Sequence, residues 1–265
     1  MGAILSPSRQ SRCSFLDYFR DNLYFYVSLK GNTVSRGTVK LTGTVSGALP
    51  SNGDSRSVPC YYFDGSNDRI DFGANTLIPH AASHSLFCWC KPMSNVNGGR
   101  IVEQSRGAGG QYLAAVWGGA YFGFTIYGAS GWTSAYSNLT YPCQFGRWYL
   151  VSYSYNHPAA LTHCYVNGRL FGIISNNRNS GYSGAYNSWV GGNANNADPI
   201  YQWNGKLSEF GVLSRHTSPR EHIDYFQASG SPTKKVFSAG YAADAAGGSA
   251  VPVFQSNYSR RRRAA

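Results

Sequence analysis

The residue types that could bind a metal ion are grouped in two loops of the sequence. Asp64, Asn67 and Asp68 lie in the first loop, and Asn195 and Asp198 lie in the second. Carboxylate and amide oxygens are the ligands that Ca²⁺ prefers, so both loops are candidate calcium sites. The same residue types also form surface turns without a metal. We interpret both loops as turns, with calcium binding as the alternative and no other cofactor expected.

Acid–base chemistry on a glycoside needs two carboxyl groups, about 5 Å apart in a retaining enzyme. Glu209 is the only acid in the late strand-like segment 204–210, where Ser208 and Phe210 flank it. No second acid alternates with it along the segment. The sequence therefore predicts a protein that is not an enzyme, with a glycoside hydrolase as the weakest alternative.

The histidine and cysteine spacings do not match a zinc site. Cys88 and Cys90 are separated by one residue, which is tighter than the usual pair of zinc ligands. On a strand both side chains would point the same way, and we predict that they are small core residues. The N-terminus shows no secretory signal, so we expect free thiols in a reducing compartment.

The net charge of +11 is concentrated in the two ends of the chain. Residues 1–59 hold seven Lys/Arg and three Asp/Glu (+4), residues 60–227 hold ten and eight (+2), and residues 228–265 hold six and one (+5). A near-neutral body with basic ends predicts arms that dock on an acidic partner surface or on nucleic acid. The predicted docking residues are Phe15, Leu16, Tyr18 and Phe19 on one helical turn, and the terminal Arg260, Arg261, Arg262 and Arg263.

Strands, rather than helices, must position these residues. Twenty Tyr, 14 Phe, 6 Trp and 31 Gly, with only 13% charged residues, are typical of strands and turns. Period-two alternation predicts about a dozen strands, and no apolar run reaches the roughly 18 residues of a membrane span. Ser218 and Pro219 have the residue types that begin a helix, and they predict one short helix near the end of the body.

Three local predictions follow from strand chemistry. The segment Cys60–Gly73 is predicted to be a β-hairpin, because turn-forming residues separate two aromatic and β-branched runs. Asn167 and Gly168 are predicted to form a two-residue turn in which both residues have positive φ. The large side chains at alternating positions of central strands are predicted to face the opposite sheet, and these are Trp89, Trp148 and Tyr165.

Six segments, taken in order, resemble the laminin-G-like branch of the concanavalin A-like sandwich superfamily. They are residues 62–70, 86–92, 146–151, 164–169, 189–193 and 203–210. The short helix predicted at residues 218–223 resembles the one that closes such domains. The resemblance implies an all-β, two-sheet antiparallel jelly-roll sandwich, with ligand sites on the loops at one rim. Because this superfamily includes glycosidases, lectins and adhesion modules, the fold does not decide the function.

The predicted organisation is an N-terminal arm at residues 1–21, the jelly-roll domain at 22–227 and a basic C-terminal arm at 228–265. The arms favour a non-enzymatic structural protein of a bacteriophage virion, a capsid cement or decoration protein on the capsid exterior, made in the host cytoplasm. Its expected partners are a viral capsid protein and further copies of the chain, with neither nucleic acid nor a membrane. The alternative is a carbohydrate-binding module, such as a receptor-binding fibre head or a lectin, with a glycan as its partner. The weaker alternative that the resemblance implies is a glucanase-like hydrolase.

Overall fold

The computed structural model describes residues 14–51, 59–79, 82–94, 99–106, 109–117, 121–126, 136–175, 187–192 and 201–229. In these ranges sixteen strands form two antiparallel sheets of eight strands, accompanied by two short helices. The architecture confirms the predicted all-β, two-sheet sandwich. None of the helices in the described ranges has the length and apolar character needed to cross a membrane.

The first sheet, sheet I, has the strand order β14-β13-β12-β6-β16-β4-β3, and β1 also pairs with β16. Its strands are β1 (Leu23–Val27), β3 (Leu49–Ser51), β4 (Cys60–Asp64), β6 (His84–Pro92), β12 (Tyr149–Asn156), β13 (Leu161–Val166), β14 (Arg169–Ser175) and β16 (Asn204–Leu213). The two helices are α1 (Phe15–Tyr18) and α2 (Pro219–Ala228).

The second sheet, sheet II, has the order β11-β10-β9-β8-β15-β5-β2, with β7 pairing to β9. Its strands are β2 (Thr44–Ser46), β5 (Arg69–Ala74), β7 (Gly99–Arg100), β8 (Val102–Arg106), β9 (Gly109–Trp117), β10 (Tyr121–Ile126), β11 (Tyr136–Pro142) and β15 (Asn187–Val190).

The main core lies between the two sheets. Ile70 and Phe72 of β5 are buried in it, whereas the alternate residues of that strand point to the other face. Cys88 and Cys90 of β6 enter the same core, which confirms their prediction as core residues. Both are free thiols, as are the three other cysteines of the described residues.

A second apolar cluster covers the outer face of sheet I, beneath α1 and α2. Trp89 and Trp148 belong to this cluster, and Tyr165 stacks on His222 of α2 with the ring centroids 3.7 Å apart. The prediction that these three side chains face the opposite sheet is therefore wrong. A period-two pattern fixes which residues share a face, but both faces of sheet I are buried, so the pattern does not identify the inner one.

The predicted hairpin at Cys60–Gly73 does not form, because its two strands lie in different sheets. β4 pairs with β3 and β16, whereas β5 pairs with β2 and β15. The turn between them connects sheet I to sheet II. Within the turn Asp68 is only 4% exposed, and its carboxylate accepts a hydrogen bond from the Asp64 N–H at 2.7 Å. The turn forms where the sequence predicts it, but it joins strands of different sheets.

Two other local predictions are confirmed. Ser218 caps α2 by accepting from the Glu221 N–H, while the Glu221 carboxylate accepts from the Ser218 N–H, and Pro219 begins the helix. Asn167 and Gly168 have φ values of 53° and 74° in the turn between β13 and β14. The turn and the helix therefore begin where the sequence places them.

Candidate functional site

The outer face of sheet II carries charged and aromatic side chains on neighbouring strands. In β15, Trp189 lies directly opposite Asp71 of β5 on one side and Glu103 of β8 on the other. These three residues point outward because the neighbours of each along its strand, such as Val102 and Val190, are buried between the sheets. Both described helices pack on sheet I, so neither of them covers this face.

Two arginines on this face form cation–π contacts with aromatic rings. The guanidinium carbon of Arg69 lies 4.5 Å from the centre of the Trp189 ring, and that of Arg100 lies 4.3 Å from the centre of the Tyr201 ring. Arg100 also forms an ion pair with Glu103. Such cation–π contacts restrict the rotation of both partners. We call the group Arg69, Asp71, Arg100, Glu103, Trp189 and Tyr201 the Trp189 face.

The residues of the Trp189 face differ in how much of each side chain solvent can reach. Glu103 is fully buried and balanced by Arg100, so this pair supports the face. Trp189, Arg69 and Asp71 are each partly exposed. The Oδ1 atom of Asp71 accepts a hydrogen bond from the Gly73 N–H at 2.7 Å, which orients the carboxylate. An indole ring flanked by a fixed carboxylate and a fixed guanidinium can therefore contact a ligand.

Glu209, the acid weighed for catalysis, lies on sheet I and not on this face. Its side chain is buried, with Oε1 paired to Lys30 Nζ at 3.0 Å and Oε2 accepting from the Tyr225 hydroxyl at 3.1 Å. The residue has a positive φ of 55° at an irregularity in β16, and its N–H donates to the Ser28 carbonyl. Glu209 therefore links β16 to α2 and to the segment after β1, away from solvent.

The first predicted calcium loop uses its acidic groups to stabilise its own backbone. Asp64 Oδ1 accepts from the Ser66 N–H at 2.7 Å, and Asp68 accepts from the Asp64 N–H. Burial raises the pKa of Asp68, while the hydrogen bond from Asp64 acts in the opposite direction. Asn67 is exposed and its carbonyl accepts from Arg69. Across the described residues, no three His, Cys, Asp or Glu side chains are grouped to hold a metal ion.

The second predicted calcium loop, with Asn195 and Asp198, lies outside the described residues. So does the arginine run Arg260, Arg261, Arg262 and Arg263. The calcium prediction for that loop and the docking prediction for those arginines therefore stay predictions.

The aromatic turn at the N-terminal end packs on the chain itself. Phe15 is fully buried and Phe19 is 3% exposed; the Phe15 ring lies 5.5 Å from that of Tyr225, and Phe19 lies 4.8 Å from Phe87. Leu16 and Tyr18, also predicted to dock, are partly buried against the same cluster.

This packing corrects the docking prediction for the helical turn. So short a helical turn needs a surface to pack on, and it packs on sheet I and α2 of the same chain. Phe15 and Phe19 consequently have no surface left for a partner.

Sequence reasoning missed the Trp189 face, although its signal was present. Arg69 and Asp71 alternate with Ile70 and Phe72, which places two charges on one side of β5. In the sequence, Trp189 stands out only as part of segment 189–193, which resembles the fold family. What the sequence does not contain is the pairing of β15 with both β5 and β8, which brings the charges to the two sides of the indole ring.

Solved structures resemble the fold at low sequence identity. Domain 4 of an extracellular GH43 arabinanase from Geobacillus stearothermophilus, in complex with arabinotriose, has a TM-score of 0.55 at 15% identity and covers 78% of this chain and 98% of that one. The receptor-binding domain of botulinum neurotoxin D has a TM-score of 0.60 at 12% identity, covering 78% and 52%. The chain thus spans about half the length of that toxin domain. At these identities the likeness shows the fold alone.

A family model supports the same assignment from the sequence. No curated protein matches the chain in sequence. The family model Laminin_G_3, described as the concanavalin A-like lectin/glucanases superfamily, matches residues 64–221, which is more than half of the 265 residues. This range includes β5, β8 and β15, and with them the residues of the Trp189 face. The chain belongs to the concanavalin A-like lectin/glucanase superfamily.

Proposed function

We propose that the protein is a non-catalytic binding module that recognises a glycan through the Trp189 face. The observation that carries this proposal is the position of Trp189, partly exposed and flanked on adjacent strands by Asp71 and Glu103. It lies on the sheet surface that both described helices leave uncovered.

The chemistry of the face suits a sugar. The part of the indole ring that the Arg69 guanidinium does not cover offers an apolar surface to the C–H groups of a pyranose or furanose, and nearby charged groups can bond the sugar hydroxyls. Arg69 and Asp71 provide a donor and an acceptor beside the ring. The ion pair of Arg100 and Glu103 keeps this arrangement rigid, so little side-chain entropy is lost on binding.

The relatives are consistent with a binding role without assigning it. The arabinanase domain was solved with arabinotriose, and the toxin domain is a receptor-binding domain. Another structural neighbour, the Trypanosoma rangeli sialidase in complex with sialic acid, has a TM-score of 0.56 at 14% identity over 77% of this chain and 32% of that one. No residue role is transferred from these proteins, because the identities are too low.

The non-catalytic part of the proposal rests on how the carboxylates are used. Glu209 is buried under α2, and Glu103 is buried in an ion pair with Arg100. Asp71 is therefore the one partly exposed acid of the Trp189 face. Most glycosidases use two carboxyl groups at the scissile bond. We expect no product from glycans that bind, and measurable hydrolysis would contradict this part of the proposal.

The proposal is tested by screening immobilised glycans and then measuring the affinity of the bound ones by calorimetry. Trp189→Ala should weaken binding by about tenfold or more, because a stacking contact of roughly 1.4 kcal/mol corresponds to that factor. The matched control is Phe145→Ala, since Phe145 is 40% exposed on the loop after β11. Equal affinities of the wild type and Trp189→Ala would refute the proposed site.

The capsid-decoration role stays a prediction. It rests on the charge of the two ends, and residues 1–13 and 230–265 lie outside the described residues. The virion location, the capsid partner, the self-association and the domain limits at 21 and 228 have the same status. A glycan-binding module on a particle surface would satisfy both functions, and incorporation of chains truncated after residue 229 into particles would test the second.

A further inference from the structure

Two histidines lie together at the outer face of sheet I, whereas the Trp189 face belongs to sheet II. His163 lies in β13, with Cys164 beside it pointing into the main core, and His216 lies in the segment between β16 and α2. Their ring centroids are 5.6 Å apart, and the ring planes meet at 70°. The close approach of β13 to this segment therefore places one imidazole against the other.

Within the described part of the chain, one nitrogen atom of each ring is without a hydrogen-bond partner. His163 Nδ1 and His216 Nε2 are buried, and neither has a hydrogen-bond partner among the described residues. Buried polar atoms in folded proteins almost always have one. A backbone hydrogen bond at Ser154 helps to orient the His163 ring. Two unpaired nitrogens in adjacent rings can bind one shared ligand.

The charge state of the rings suits a cationic ligand. Burial lowers the pKa of both imidazoles, and the neighbouring His163 lowers the pKa of His216 further. Both rings are consequently neutral near pH 7, and a neutral imidazole nitrogen is the commonest metal ligand in proteins. The other buried histidine of this region, His222, does not compete, because Ser152 and Thr217 occupy its two nitrogens at 2.8 Å each.

We propose that His163 and His216 form a two-histidine site for a divalent transition-metal ion such as Zn²⁺. Two imidazole nitrogens on one tetrahedral Zn²⁺, each about 2 Å from the ion, hold their ring centroids about 5 Å apart, close to the observed spacing. Imidazole suits Zn²⁺, Cu²⁺ and Ni²⁺, whereas Ca²⁺ and Mg²⁺ prefer oxygen ligands.

The His163 and His216 side chains are each partly exposed although these two nitrogens are buried, so water can complete the coordination of the proposed site. Glu221 is the nearest acid that acts on His216, but its oxygens accept from Arg215 and Ser218. No group of three metal-binding side chains exists in the described part of the chain. The site therefore has open positions and binds an exchangeable ion. This inference is independent of the proposed glycan binding, which involves the other sheet.

The test is a titration of the metal-free full-length protein with Zn²⁺, followed by histidine-selective NMR and by calorimetry. The imidazole signals of His163 and His216 should shift together with one saturation curve. The signals of His157, whose Nδ1 contacts the Tyr155 hydroxyl at 3.3 Å, should stay unchanged. This readout uses the wild-type chain, so it does not depend on the folding of any variant.

Variants then assign the ligands. His163→Gln and His216→Gln should each weaken the calorimetric affinity by roughly tenfold or more, since even the loss of an outer-shell partner costs a metal site that factor. His157→Gln is the matched control and should bind as the wild type does. Zn²⁺ binding that survives both substitutions, or wild-type signals of His163 and His216 that do not move, would overturn the proposal.

Discussion

Trp89 and Trp189 show how differently one residue type is used on the two sheets. Trp89 is fully buried on the outer face of sheet I and stacks on Phe226 of α2, with the ring centroids 5.8 Å apart. Trp189 is partly exposed on sheet II beneath the Arg69 guanidinium. The first ring contributes to stability, whereas the second contributes surface that a ligand can contact.

This contrast predicts unequal costs of truncation. Trp89→Ala should lower the free energy of unfolding by about 3–5 kcal/mol, because it leaves a cavity between sheet I and α2. Trp189→Ala should lower it by about 1 kcal/mol, since it loses one partly exposed cation–π contact. Denaturant unfolding of the two variants measures both values, and similar losses would contradict the environments described here.

At the scale of the elements, the predictions that were wrong concern strands that contact a second layer of structure, either the helices or the other sheet. The alternation of β6 was recognised, yet its outer face is buried by α2 and α1, so Trp89 points away from the main core. The turn at Asp64–Asp68 was recognised, yet it joins two sheets. Local pattern determines strands, turns and caps, whereas the choice of partner strand depends on packing between distant segments.

The turn between β13 and β14 provides a test of how closely α2 packs on sheet I. Gly168 has a φ of 74°, and a Cβ atom there would lie 2.7 Å from the His222 carbonyl oxygen. Gly146 has a similar φ of 78° but nothing within 4 Å of such an atom. Gly146→Ala should cost about 1–2 kcal/mol for the left-handed backbone alone.

Gly168→Ala should lower the free energy of unfolding by clearly more than Gly146→Ala, because the clash with the α2 backbone adds to the same backbone strain. Thermal or denaturant unfolding of the two variants gives the comparison. Equal losses would mean that α2 lies further from the turn than the structure shows.

The anchoring of α2 also predicts a dependence of stability on pH. Burial, and then the nearby His216 and His163, hold the pKa of His222 well below 6.5. Below about pH 6.5 the unfolded state therefore binds more protons than the folded state, and stability falls as the pH falls. The loss for this group approaches about 1.4 kcal/mol per pH unit, and the lowered pKa values of His163 and His216 act in the same direction.

His222→Gln should make this pH dependence shallower, although it also lowers stability at pH 7 because the bonds to Ser152 and Thr217 are disturbed. Chemical denaturation at several pH values between 5 and 8 measures the slopes. A slope for His222→Gln equal to that of the wild type would exclude His222 as the titrating group.

For the whole molecule, the sandwich is covered unequally. Sheet I has helices on its outer face and carries the buried acid Glu209, while sheet II presents the Trp189 face. The sequence predicted the sandwich, the free core cysteines and the capped helix from local signals. It did not predict the Trp189 face, because Asp71, Glu103 and Trp189 are separated by up to 118 positions and meet only through the strand order of sheet II.

Glycan binding over Trp189 can be observed directly in an NMR titration of the indole N–H signals of the six tryptophans. With a glycan that binds, the Trp189 signal should shift and follow the binding curve. The signals of the buried Trp89 and Trp203 should stay in place. Binding that leaves the Trp189 signal unmoved while another tryptophan follows the curve would contradict the claim.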